Sequence, residues 1–90
     1  MAWRIEFADS AAKQLRKLDR QTAVRILTFL RDRVAMLDDP RSLGEALRGK
    51  QFGDYWKYRV GDWRIIADLE DEIVTITVVR LGNRREVYRR

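Results

Sequence analysis

Tyr55-Trp56-Lys57-Tyr58-Arg59-Val60-Gly61-Asp62-Trp63-Arg64-Ile65-Ile66-Ala67 is the stretch on which the fold turns. Apolar or aromatic residues alternate with cations up to Val60, and the alternation resumes at Trp63. A period of two is the pattern of a half-buried strand. Gly61-Asp62 between the two runs fits a tight hairpin turn. If that loop holds two residues, Val60 faces Trp63, Arg59 faces Arg64 and Lys57 faces Ile66. Side chains alternate across a sheet. One face then carries Trp56, Tyr58, Val60, Trp63, Ile65 and Ala67, and the other gathers Lys57, Arg59 and Arg64.

Outward from the hairpin, Ile73–Val79 reads as the next strand, with Glu70-Asp71 as the turn before it. Gly82-Asn83 reads as a turn that sets Arg84, Arg85 and Tyr88 just past that strand. Upstream, Arg41–Gly53 is loop-like, with Gly44, Gly49 and Gly53. Ala23, Ile26, Leu27, Leu30, Val34 and Leu37 form a stripe at helical spacing, predicting a helix from about Gln21 to Leu37. Pro40 marks its exit. Ala12, Leu15 and Leu18 predict a shorter helix ending near Asp19, with its start signalled by Asp9-Ser10. Trp3–Phe7 alternates again and predicts a first strand. The order is β-α-α-β-β-β: a single α+β domain over residues 1–90, with a helical hairpin packed on a mostly antiparallel, twisted sheet.

Composition narrows the chemistry. The 90 residues include no cysteine and no histidine. Disulfides, the usual zinc sites, histidine bases and Cys-His nucleophiles are therefore excluded. Catalysis, if present, runs on Lys, Arg, Tyr, Asp or Glu, and neither a metal nor any other cofactor is expected. The net charge of +5 favours polyanionic partners. No apolar run has the length of a membrane span and the N-terminus lacks a signal-peptide core, so no membrane partner and a cytoplasmic location are expected.

Placement of the charge is more informative than its sum. Like charges directly opposed on paired strands destabilise the pair by about 0.2–1 kcal/mol. Arg59 across from Arg64 is such a pair, and a bound polyanion relieves the repulsion. The plainer alternative is that both side chains splay into water. Tyr88 reads equally as a packing residue or as an aromatic that stacks on an unpaired base. The basic face of the first helix (Lys13, Arg16, Lys17, Arg20) reads as solvated surface.

Three runs carry a resemblance: Leu47-Arg48-Gly49, then Tyr55 to Ile66, then Gly82-Asn83-Arg84-Arg85-Glu86-Val87-Tyr88. In this order and spacing, with Phe7-Ala8-Asp9-Ser10-Ala11 and the helical pair ahead of them, the chain resembles RelE-type toxins of the RelE/ParE toxin–antitoxin superfamily. The resemblance implies a RelE-like fold and a metal-independent endoribonuclease that enters the ribosomal 30S A site. There the mRNA's own 2′-hydroxyl attacks the adjacent phosphate and translation stops. Carried over by position, Lys57 and Arg59 match the paired basic residues of the second strand, and Arg64 matches the transition-state arginine. Arg84 matches the arginine of leaving-group protonation or phosphate stabilisation, and Tyr88 the tyrosine that orients the cleaved nucleotide. Arg48, Lys50 and Arg85 are expected to contact the RNA. Asn83 stands where some relatives have a histidine. Arginine stays protonated, which leaves Lys57 or Tyr88 as the general base. The implied partners are a RelB-like cognate antitoxin, the ribosome with its mRNA, and operator DNA only indirectly through the antitoxin. Two other readings stand beside this one: a ParE-like inhibitor of DNA gyrase, and an inactive homologue acting as co-repressor.

Overall fold

In a computed structural model that describes residues 2–47 and 55–83, the hairpin stands as its pattern requires. Strand β3 (Trp56–Val60) pairs antiparallel with β4 (Trp63–Glu70), with Val60 opposite Trp63, Arg59 opposite Arg64 and Lys57 opposite Ile66. Gly61 turns the chain at φ 60°, a left-handed conformation natural to glycine in a two-residue loop.

The other elements are β1 (Arg4–Phe7), helix α1 (Asp9–Lys17), helix α2 (Arg20–Thr28), a two-residue strand β2 (Glu45–Ala46) and β5 (Thr75–Asn83). The sheet order is β1-β5-β4-β3-β2, with β1 parallel to β5 and every other pair antiparallel. Helices pack on the face carrying Tyr58, Val60, Ile65 and Ala67. Ala11, Ile26, Leu30 and Val34 meet those side chains together with Ile76, Val78 and Leu81. Trp56 and Trp63 pack against the rim of this core. Burying each such aliphatic side chain contributes roughly 1.5–3 kcal/mol, so this one face supplies most of the drive to fold.

Several boundaries move for physical reasons. Ala8 rather than Asp9 or Ser10 is the N-cap of α1, and it makes no side-chain cap. Asp19 caps α2 by accepting from the Thr22 amide at 3.1 Å, so the residue expected to close the first helix opens the second. Helix α2 widens into a π-turn over Phe29–Val34, where the Ala35 amide donates to the Leu30 carbonyl at 2.8 Å. Val34 is buried with Ile26 and Leu30, while Leu27, ahead of the π-turn, is exposed. Glu70 ends β4, and the turn after it is longer than Glu70-Asp71. A 3₁₀ turn over Asp71–Ile73 is closed by Val74 at φ 49°.

The largest correction concerns Gly82-Asn83. They are not a turn: they are the last residues of β5, opposite Arg64 and Trp63. A register shift at Ile66/Ala67 on β4 pairs Ile66 with Arg80 and Ala67 with Val78, which leaves Val79 as the extra residue of a bulge. A one-residue slip exchanges the two faces of a strand. Leu81 is thereby buried in the core, and Arg80 and Gly82 fall on the opposite face.

Candidate nucleic-acid interface

On the sheet face away from the helices, two rows of opposed residues cross the strands. One runs Glu45, Lys57, Ile66, Arg80, and the other runs Arg59, Arg64, Gly82. The hairpin register therefore brings Lys57, Arg59 and Arg64 together as the alternation required. Ile66 is buried in a small second cluster with Leu47, against which Tyr55 and Val79 pack. The basic face is thus bounded by an apolar patch. Gly82, buried and without a side chain, adds no further group to the row beside Arg64.

These cations line one side of an open groove of about 660 Å³. Its other walls come from Phe29 and Arg33 of the π-turn and from Leu43, Gly44 and Glu45 of the loop leading into β2. That loop is tied down at several points. The Tyr58 hydroxyl donates to the Pro40 carbonyl at 2.7 Å, and Trp56 Nε1 donates to the Leu43 carbonyl at 2.7 Å. Burial pushes the Tyr58 phenol far up, so it stays a hydrogen-bond donor and is no acid at neutral pH. Arg41 holds Asp71 through both guanidinium ends, at 3.0 and 2.9 Å. Gly44 then turns at φ 77° so close to the strand that a Cβ would strike the Lys57 carbonyl and stand 2.8 Å from Tyr58 Cδ1. Only glycine fits there.

This path delivers Glu45 to Lys57, with Nζ and Oε1 3.1 Å apart. Lys57 is mostly covered and Glu45 mostly exposed. The two arginines differ. Arg64 Nη1 donates to the Gly61 and Trp63 carbonyls, both at 3.2 Å, which folds the guanidinium back over the turn. Neither Arg59 nor Arg64 pairs with a carboxylate among the described residues. Across the turn, a Cβ on Gly61 would stand 3.2 Å from Arg25 Nη1, so helix α2 brings a further cation to the same end of the sheet.

Arg48, Lys50, Arg84, Arg85 and Tyr88 lie outside the described residues. Their nearest described neighbours are Leu47 and Asn83, and Asn83 lies in register with Trp63 beside Arg64. Sequence reading missed Arg33, Glu45 and Arg80. A π-turn has no simple residue signature, a two-residue strand is too short for periodicity, and the bulge at Val79 inverts the apparent facing of Arg80.

A profile of the family described as the ParE toxin of type II toxin–antitoxin system, parDE, matches residues 5–88. The chain belongs to this toxin family. Its relatives place the toxin within the wider RelE/ParE superfamily. Toxin RelG of Mycobacterium tuberculosis is 26% identical over 90 residues, covering 100% of both chains. The toxin–antitoxin complex RelBE2 of the same organism matches with a TM-score of 0.82 at 21% identity, over 96% of the toxin and 95% of that chain. The RelE–RelB complex of the archaeon Pyrococcus horikoshii matches with a TM-score of 0.72 at 26% identity, over 97% of the toxin and 100% of that chain. The α+β fold expected from the hairpin is the fold of these RelE structures. Among the described residues, no helix of the toxin is long and apolar enough to cross a membrane.

Proposed function

We propose that this toxin is a metal-independent, ribosome-dependent mRNA endonuclease, in which Lys57, Arg59 and Arg64 hold the scissile phosphate while the RNA's 2′-hydroxyl attacks it. One observation carries the reading: Arg59 and Arg64 stand directly opposite each other, beside Lys57, on a groove where neither arginine meets a carboxylate among the described residues. Charge grows on the phosphorane as the 2′-oxygen adds, and fixed guanidinium groups aimed at it stabilise that state more than the ground state. The backbone bonds that hold Arg64 to the turn make it the more pre-set of the two. In-line attack is otherwise a positioning task, which suits a catalyst that depends on the ribosome to shape the mRNA.

Glu45 bears on the base. An ion pair favours the ammonium form of Lys57, which has no lone pair to offer, so Lys57 serves as the base only after the pair opens and the ammonium gives up its proton to solvent. Tyr88 is the other candidate, and Arg84 serves the leaving group. Arg48, Lys50 and Arg85 contact flanking RNA. The partner is a RelB-like antitoxin whose acidic or amphipathic segment covers the basic face and the helices, and contact with operator DNA runs through that antitoxin. The antitoxin is supported by solved relatives that are themselves toxin–antitoxin complexes.

The family profile named for ParE favours a second reading, inhibition of DNA gyrase. Inducing the wild type and Arg64→Ala, then mapping mRNA 5′ ends on translating ribosomes, separates the two. Codon-phased cuts that vanish in the variant are expected. Intact mRNA with trapped gyrase–DNA adducts would overturn the nuclease in favour of gyrase.

A further inference from the structure

The groove is larger than one phosphate requires. Its volume of about 660 Å³ falls in the ~300–1,000 Å³ range of sites that take a whole small ligand. Its cations also come from both layers of the fold. Arg59 and Arg64 rise from the sheet, and Arg33 reaches the same groove from the π-turn of α2. Arg33 is exposed, like Arg59, and has no carboxylate partner among the described residues; the neighbouring ion pair is Arg31 with Asp32. Among the described residues none of these three guanidinium groups pairs with a carboxylate, Glu45 of the same groove being paired with Lys57, and a polyanion that threads between them relieves their mutual repulsion. The half-buried Phe29 ring and the Leu43 side chain add an apolar wall next to Arg33. An aromatic wall beside guanidinium groups favours a nucleotide strand over an acidic peptide, because bases stack on both.

We propose that Arg33 forms a second phosphate site, so that the groove holds two neighbouring phosphates of one RNA strand, the scissile one at Lys57, Arg59 and Arg64 and the flanking one at Arg33. This rests on the nuclease reading for the identity of the strand. Arg33 is a positioning residue: it fixes the register of the strand across the groove and takes no part in bond making or breaking. A phosphate contact carries no sequence information, so its effect is the same for every RNA.

The test uses the full chain and a nine-residue 2′-O-methyl RNA, which lacks the attacking hydroxyl and cannot be cut. Wild type, Arg33→Ala and Arg33→Lys are titrated by fluorescence anisotropy across a salt series, with A-rich and U-rich probes. Arg33→Ala is expected to weaken binding about fivefold at low salt, equally for both probes. It should also lower the slope of log K against log salt by about 0.7, the loss of one phosphate contact on a single strand. Arg33→Lys should restore most of both. Affinity within twofold of wild type with an unchanged slope overturns the proposal. So does no measurable RNA binding by the wild type, or a loss seen only with a polyglutamate peptide, which would assign Arg33 to an acidic protein. Ribosomal cleavage by the wild type and Arg64→Ala is scored separately. Normal cleavage with an RNA affinity indifferent to Arg33 defeats this site and spares the nuclease. The expected RNA losses without any cleavage by the wild type defeat the nuclease and spare the site.

Discussion

Repulsion between Arg59 and Arg64 can be measured as a coupling energy. Their Cα atoms are opposed in the β3–β4 register, and neither has a carboxylate partner among the described residues. Two unit charges on the order of 8 Å apart in a water-like dielectric repel by about 0.5 kcal/mol. That agrees with the ~0.2–1 kcal/mol range for opposed cross-strand pairs. Single variants cannot isolate it, because Arg64→Gln also forfeits the bonds to the Gly61 and Trp63 carbonyls. A double-mutant cycle of Arg59→Gln, Arg64→Gln and the pair, followed by urea unfolding, cancels those losses. At 10 mM salt the Debye length is about 30 Å and the repulsion should appear nearly whole. At 1 M, with a Debye length of about 3 Å, it should vanish. On a domain of this size 0.5 kcal/mol is a shift of roughly 2–4 °C in Tm. A coupling of zero at low salt, or one that favours the wild-type pair, would refute the idea that the two arginines are held together against their own repulsion.

Other outcomes follow from neighbouring features. Gly44→Ala combines a left-handed backbone with a collision against the Lys57 carbonyl and Tyr58, and should cost about 2–4 kcal/mol in urea unfolding. Asp71 is held below its ordinary value of 3.8, first by its hydrogen bond from Arg41. A carboxyl depressed in the folded state adds stability above its unfolded pKa, and that stability is lost as pH falls through the lower folded value. Asp71→Asn should therefore flatten the Tm–pH curve below about pH 4 and leave the pH dependence above it unchanged. Glu45→Gln opens an exposed ion pair, so it should change stability by less than about 0.5 kcal/mol while tightening binding of an uncleavable RNA; weaker binding would show that Glu45 helps rather than opposes the strand.

The hairpin was legible because two constraints agree at Gly61-Asp62. A two-residue loop fixes which residues oppose, and period-two alternation fixes which face each takes. The core face and the meeting of Lys57, Arg59 and Arg64 follow from those alone. What could not be read depends on contacts distant in sequence. The π-turn that carries Arg33 to the groove leaves helical apolar spacing nearly intact and gives no signal in the residues themselves. Gly82-Asn83 has the composition of a turn, yet it continues a strand because β4 is long enough to pair it. Glu45 reaches Lys57 only because Tyr58 and Trp56 bind carbonyls of the preceding loop, bonds made by side chains at least 13 positions away. Arg48, Lys50, Arg84, Arg85 and Tyr88 lie outside the described residues and stand as proposals.

Strand β2 is two residues long, and it covers only Trp56 and Lys57 of its neighbour. Along the rest of β3, Tyr58–Val60, no strand among the described residues pairs on that side. A bare margin of backbone donors and acceptors invites another chain to add itself, and proteins commonly guard such margins with charge. Arg59 stands midway along this one. In the proposed nuclease the cation that meets RNA also guards this margin, and removing its charge is expected to favour self-association as well as to weaken ligand binding.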